Sequence, residues 1–136
     1  MQTASVRWTG AEQFLAMTPS GHEVRMDADR EKNSGPGPME MLLVALGACT
    51  ATDVVLILTK KRQKLTALEV VVSGERASEP PTVWTKLEIV YRLAGKLDDK
   101  AVRDAIELSE TKYCSVAAML GKTAAISYRY EITSPA

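Results

Sequence analysis

The chain has 136 residues, 46% of them apolar and 25% charged, which suits one soluble globular domain spanning residues 1–136. Seventeen basic residues balance seventeen acidic ones, so nothing supports a phosphate-neutralising surface, and no nucleic-acid partner is expected. Met1 to Trp8 lacks the basic stretch and apolar run of an export signal; a cytoplasmic location is expected, where Cys49 and Cys114 stay reduced rather than forming a structural disulfide.

Val6-Arg7-Trp8, Gln13-Phe14-Leu15-Ala16 and Glu23-Val24-Arg25-Met26 read as short strands, separated by Thr9-Gly10 and Pro19-Ser20-Gly21. A three-stranded antiparallel meander is the natural arrangement. Asp27 to Gly37, ending in Asn33-Ser34-Gly35-Pro36-Gly37, is a loop. Pro38 suits a first helical position, where its missing N–H is no loss, and Glu40 complements the helix dipole. The helix should run to about Arg62, with Gly47 as its one weak point and Lys60-Lys61-Arg62 suiting its C-terminal carbonyls.

Two long strands follow, Leu68 to Arg76 and Thr82 to Leu93, joined through Ser78-Glu79-Pro80-Pro81. The second alternates, with Val83, Thr85, Leu87, Ile89, Tyr91 and Leu93 on one face. Asp98 and Asp99 start a second helix with Val102, Ile106 and Leu108 on its apolar stripe. Cys114 to Leu120 reads as a short helix ended by Gly121, and Ala124 to Thr133 as a last strand.

The central helix is apolar nearly all round. Met41, Leu42, Leu43, Val44, Leu46, Val54, Val55, Leu56, Ile57 and Leu58 cover every face, and a helix of that kind is buried nearly all round. The other elements of so short a chain cover one side only, so a homodimer is expected to cover the other. Asp53 within the run argues against a membrane span, and no membrane partner is expected.

Gly35-Pro36-Gly37-Pro38-Met39-Glu40 through Leu46-Gly47-Ala48-Cys49-Thr50 resembles the central helix of the OsmC/Ohr family, the osmotically inducible and organic hydroperoxide resistance proteins. Lys112-Tyr113-Cys114-Ser115-Val116-Ala117-Ala118-Met119-Leu120 resembles the family's second cysteine helix, and the order of elements agrees along essentially the whole chain. The resemblance, within the OsmC-like branch, implies an α+β fold in which antiparallel sheets wrap around the long central helices of an intertwined homodimer. It also implies thiol-dependent reduction of organic hydroperoxides under oxidative stress. Cys49 would be the peroxidatic thiol and Cys114 the resolving one, with no resident cofactor and an external dithiol as reductant. Their Cα atoms must then approach within about 4.4–6.8 Å.

Two departures from the family pattern bear on reactivity. Met39 stands directly after Pro38, where the peroxidases carry Glu, and the carboxylate comes one residue later at Glu40. Glu40 lies roughly 13 Å along the helix from Cys49, so it acts across a dimer interface or only complements the helix N-terminus. Gly10-Ala11-Glu12 stands where an Arg is expected, leaving Arg25 and Arg30 as candidates for the cation that stabilises a thiolate. Asp53, four residues after Cys49, shares its helix face and works against ionisation unless paired elsewhere or hydrogen-bonded to the thiol. The alternative function is a non-peroxidase relative that binds a small apolar or thiol-bearing ligand at the dimer-interface pocket. No Cys/His cluster has metal-ligand spacing, and no phosphate-binding loop is visible.

Overall fold

The computed structural model describes residues 1–133. They fall into two compact units, residues 1–42 and residues 43 onward. In the first, β1 (Ser5–Gly10), β2 (Gln13–Met17) and β3 (Glu23–Asp27) form the expected antiparallel meander in the order β1-β2-β3. Gly10 and Ala11 take positive φ at the β1–β2 turn, and the Trp8 indole N–H donates to the Ala11 carbonyl at 2.9 Å. The loop after β3 is tied by side chains. The buried Asp27 carboxylate accepts from the Asp29 N–H and from the Ser34 N–H and hydroxyl, and these bonds hold its carboxyl below the usual range.

Helix α1 (Pro38–Lys60) begins in the first unit and continues through the second. Glu40 accepts from the Gly37 N–H at 2.7 Å, which satisfies one of the orphan donors of the first turn. The helix stops two residues before the position expected, because Arg62 adopts φ 58° and the Gln63 N–H turns back to the Leu58 carbonyl.

The second unit is a sheet of β4 (Lys64–Arg76), β5 (Trp84–Lys96) and β6 (Ala125–Thr133) in the order β4-β5-β6. Here one expectation is corrected. β4 and β5 are antiparallel, but β6 runs parallel to β5, so the second sheet is mixed rather than antiparallel throughout. The reason is the connection. Parallel neighbours need a long crossover, and the segment between β5 and β6 supplies it with α2 (Asp99–Leu108), a π-helical turn (Ser109–Tyr113) and α3 (Ser115–Leu120). Asp98 caps α2 by accepting from the Ala101 N–H at 3.1 Å.

The core of this unit joins Leu46, Val54 and Leu58 of α1 to Leu87, Ile89, Tyr91 and Leu93 of β5 and to Val102, Ala105 and Ile106 of α2. Lys86, Glu88 and Arg92 alternate outward, as the sequence pattern requires. At Gly47 the helix passes close to β4, where an added Cβ would sit 3.4 Å from Val72 Cγ2. The opposite side of α1 stays open within one chain: Val44 is 60% and Leu56 62% exposed. The helix has the length and apolarity to cross a bilayer, yet Leu46, Val54 and Leu58 are fully buried in the protein core.

Candidate functional site

Both cysteines lie in the second unit and are brought together there. Cys49 is half-buried on α1 and packs against the core; Cys114 is buried and immediately precedes α3. The π-helical turn sets the position of Cys114, whose N–H donates to the Ser109 carbonyl at 2.8 Å. Extended backbone at Cys114 then lets its Sγ accept from the Ala117 N–H at 3.3 Å. The two thiols lie close enough for Cys49 to act on Cys114. Burial first, then the neighbouring Cys49 thiol and the charge of Glu110, push the Cys114 thiol up to about 12, against the lowering effect of the Ala117 N–H. Cys114 is therefore a thiol at neutral pH, and Cys49, half-buried where Cys114 is buried, is the sulfur a reagent can reach.

Beside the thiols lies a polar chain that crosses three elements, α1, β5 and the π-helical turn. The Ser109 hydroxyl donates to Asp53 Oδ2 at 2.8 Å and lies 2.7 Å from Thr50 Oγ1. Thr50 Oγ1 lies 2.5 Å from Tyr91 Oη, which in turn hydrogen-bonds to Glu110 Oε1. Thr50, Tyr91 and Ser109 are fully buried. Burial and the bond to Glu110 push the Tyr91 hydroxyl well up, so it stays protonated. Glu110 is also raised, first by burial and further by the charge of Asp53, against the lowering bonds from Tyr91 and Thr50. At its other end the chain reaches an open cleft of about 490 Å³, lined by Asp53 together with Leu56, Ile57, Leu108 and Lys60.

The remaining sequence-predicted residues belong to the first unit. Arg30 is paired with Glu40 at 3.1 Å, and its guanidinium also donates to Asn33 Oδ1 and to the carbonyls of Gly35 and Asp27. Both side chains of the pair are about half exposed. Arg25 is an exposed residue of β3 opposite Leu15. Asp53, read from the sequence as a neighbour of Cys49, has its carboxylate engaged by the Ser109 hydroxyl.

Sequence reasoning missed Thr50, Tyr91, Ser109 and Glu110. Thr50 and Tyr91 are 41 positions apart, Thr50 and Glu110 60, so no local spacing links them. The available signal was a hydroxyl inside an apolar helix and a tyrosine on the buried face of β5, each of which needs a buried partner. Among the described residues, no group of three or more His, Cys, Asp or Glu side chains is arranged to hold a metal ion.

Known proteins agree with this architecture. Residues 23–129 match the family model for OsmC-like protein. Protein YhfA of Escherichia coli strain K12 is 42% identical over 132 residues, 96% of this chain and 98% of that one. The crystal structure of a hypothetical protein from Aquifex aeolicus VF5 superposes with a TM-score of 0.91 at 32% identity, over 100% of this chain and 98% of that one. An organic hydroperoxide resistance protein OsmC from Legionella pneumophila superposes with a TM-score of 0.68 at 11% identity over 96% of each chain, a likeness of fold. The chain is a member of the OsmC-like protein family.

Proposed function

We propose that this protein reduces organic hydroperoxides with its two cysteines. The observation that carries the reading is the thiol pair itself: a half-buried Cys49 beside a buried Cys114 whose proton is firmly held. Attack on the O–O bond needs a thiolate that substrate can reach, and a buried neighbouring S–H donor stabilises that thiolate. The Cys49 thiolate takes the terminal oxygen of ROOH and becomes a sulfenic acid, while the alkoxide RO⁻ leaves and is protonated to ROH. Cys114 then displaces water from the sulfenic acid to form the Cys49–Cys114 disulfide, and an external dithiol reduces it, becoming a disulfide itself. The fold shared with a hydroperoxide resistance protein supports the substrate class.

The working unit in this proposal is an intertwined homodimer in the cytoplasm, in which the exposed side of α1, with Val44 and Leu56, meets a second copy. Glu40 and its partner Arg30 would act across that interface, and Arg25 is the other candidate cation. A second reading has one observation in its favour. The carboxyl that bears on Cys114 is Glu110, with Asp53 beside it, an acidic setting that disfavours thiolate chemistry and suits a binding site for a small apolar or thiol-bearing ligand.

Treating the reduced protein with cumene hydroperoxide and counting the remaining thiols separates the two. Peroxidase action consumes both thiols in the wild type and spares Cys114 in Cys49→Ser. Unchanged thiols under excess peroxide would leave the ligand-binding reading. Size-exclusion chromatography with light scattering tests the assembly: twice the chain mass is expected, and a monomer at micromolar concentration contradicts it.

A further inference from the structure

We propose that Asp53 and Glu110 share a single proton through Ser109, Thr50 and Tyr91, forming a proton path from the cleft to the thiol pair. Asp53, Ser109, Thr50, Tyr91 and Glu110 form a line with four short links, 2.8 Å, 2.7 Å, 2.5 Å and the Tyr91–Glu110 bond, beside which Thr50 Oγ1 makes one longer contact of 3.4 Å with Glu110 Oε1. Oxygens at such separations need a hydrogen between them. The three hydroxyls hold three hydrogens, and an ionised carboxylate has none to give. The fourth therefore belongs to one of the two carboxyls. With it on Glu110, every donor points toward Asp53: Glu110 to Tyr91, Tyr91 to Thr50, Thr50 to Ser109, Ser109 to Asp53. With it on Asp53, every donor reverses. Moving one hydrogen along each link transfers a proton between the ends without any heavy atom changing place.

The resting position is Glu110. That carboxyl is raised by burial and by the charge of Asp53. The titratable groups that bear on it are Asp53 from α1, Tyr91 from β5, Tyr128 from β6 and Cys114 ahead of α3. Asp53 lines the open cleft, so the line has an entry from solvent at one end and a carboxylic acid near Cys114 at the other. This role rests on the peroxidase reading. The alkoxide that leaves after attack by Cys49 takes a proton, Glu110 is left as carboxylate, and solvent restores the proton through Asp53. No oxidant beyond the hydroperoxide is involved. Glu110 is the proton donor in this scheme.

Infrared spectroscopy of the resting, reduced protein tests the sharing without any peroxide. At pH 7 a protonated-carboxyl C=O stretch is expected, absent in Glu110→Gln and retained in Thr50→Ser, which keeps the central hydroxyl. In Thr50→Val the line splits into two links served by two hydroxyls, so the band's pH midpoint should fall by at least one pH unit. No carboxylic acid band at pH 7 in the wild type overturns the proposal. So does a band that survives in Glu110→Gln, or a midpoint identical in the wild type and Thr50→Val. If the band behaves as expected while peroxide leaves both thiols intact, the shared proton stands and the peroxidase reading falls.

Discussion

The Thr50–Tyr91 hydrogen bond offers a sharp energetic test, because both groups are fully buried and each is nearly isosteric with an apolar residue. Thr50→Val removes a hydroxyl that bonds to Tyr91 at 2.5 Å and to Ser109 at 2.7 Å. At about 1 kcal/mol net for each bond, the cost is roughly 2 kcal/mol. No donor is stranded, since Ser109 keeps Asp53 as acceptor and Tyr91 turns its hydroxyl to Glu110 once that carboxyl gives up its proton. Tyr91→Phe loses the same bond to Thr50 and also the bond to Glu110, for roughly 2–3 kcal/mol. The Thr50–Tyr91 bond is counted in both single variants but only once in the double. The double variant should therefore cost about 1 kcal/mol less than the sum of the singles. Urea denaturation of all four proteins at one fixed protein concentration measures this. Additivity to within about 0.3 kcal/mol would mean that the two hydroxyls are not energetically coupled, and the account of the polar chain would fail.

Other outcomes follow from the same physics. Gly47→Ala should be neutral or stabilising by up to about 1 kcal/mol, since its Cβ would only touch Val72 and the helix gains propensity; a loss in thermal melting would contradict the packing of α1 on β4. Gly95→Ala should cost about 2–4 kcal/mol, because Gly95 has φ 138° and a Cβ there would lie 2.1 Å from the Lys64 carbonyl oxygen; a wild-type melting temperature would refute this. The Cys114 thiol is raised from 9.0 to about 12 on folding, so its contribution is intact below pH 9 and is lost as pH rises toward 12. Cys114→Ala should accordingly flatten the alkaline limb of the stability curve. Asp27 works in the opposite sense: its folded carboxyl is lowered, chiefly by the Ser34 hydroxyl, so its contribution is present above the normal carboxylate range and lost below it. Asp27→Asn should flatten the acid limb, and an acid limb identical to that of the wild type would contradict the pairing.

Much of the fold was legible because its signals are local. The Pro38 start, the alternation along β5, the Asp98 cap and the turn glycines each act within a few residues, and the elements appear where those signals place them. The parallel pairing of β6 was not legible, since its alternation fits either direction and the choice is made by the crossover through α2 and α3. The cysteine pair was readable only through resemblance, as Cys49 and Cys114 meet by tertiary folding. Asp53 shows the limit most clearly. Helical spacing rightly placed it one turn beyond Cys49, yet what engages its carboxylate is Ser109, 56 positions away. Glu40 and Arg30 likewise turned out to be each other's partners, a pairing set by the conformation of the loop between β3 and α1.

Intact-protein mass spectrometry after one equivalent of cumene hydroperoxide tests the two-cysteine reading most directly. The wild type should lose the mass of two hydrogens as the Cys49–Cys114 disulfide forms. Cys114→Ser should instead gain one oxygen as a sulfenic acid at Cys49, and Cys49→Ser should keep its mass. An unmodified wild type, or an oxygen gained at Cys114 in Cys49→Ser as fast as at Cys49 in Cys114→Ser, would contradict it.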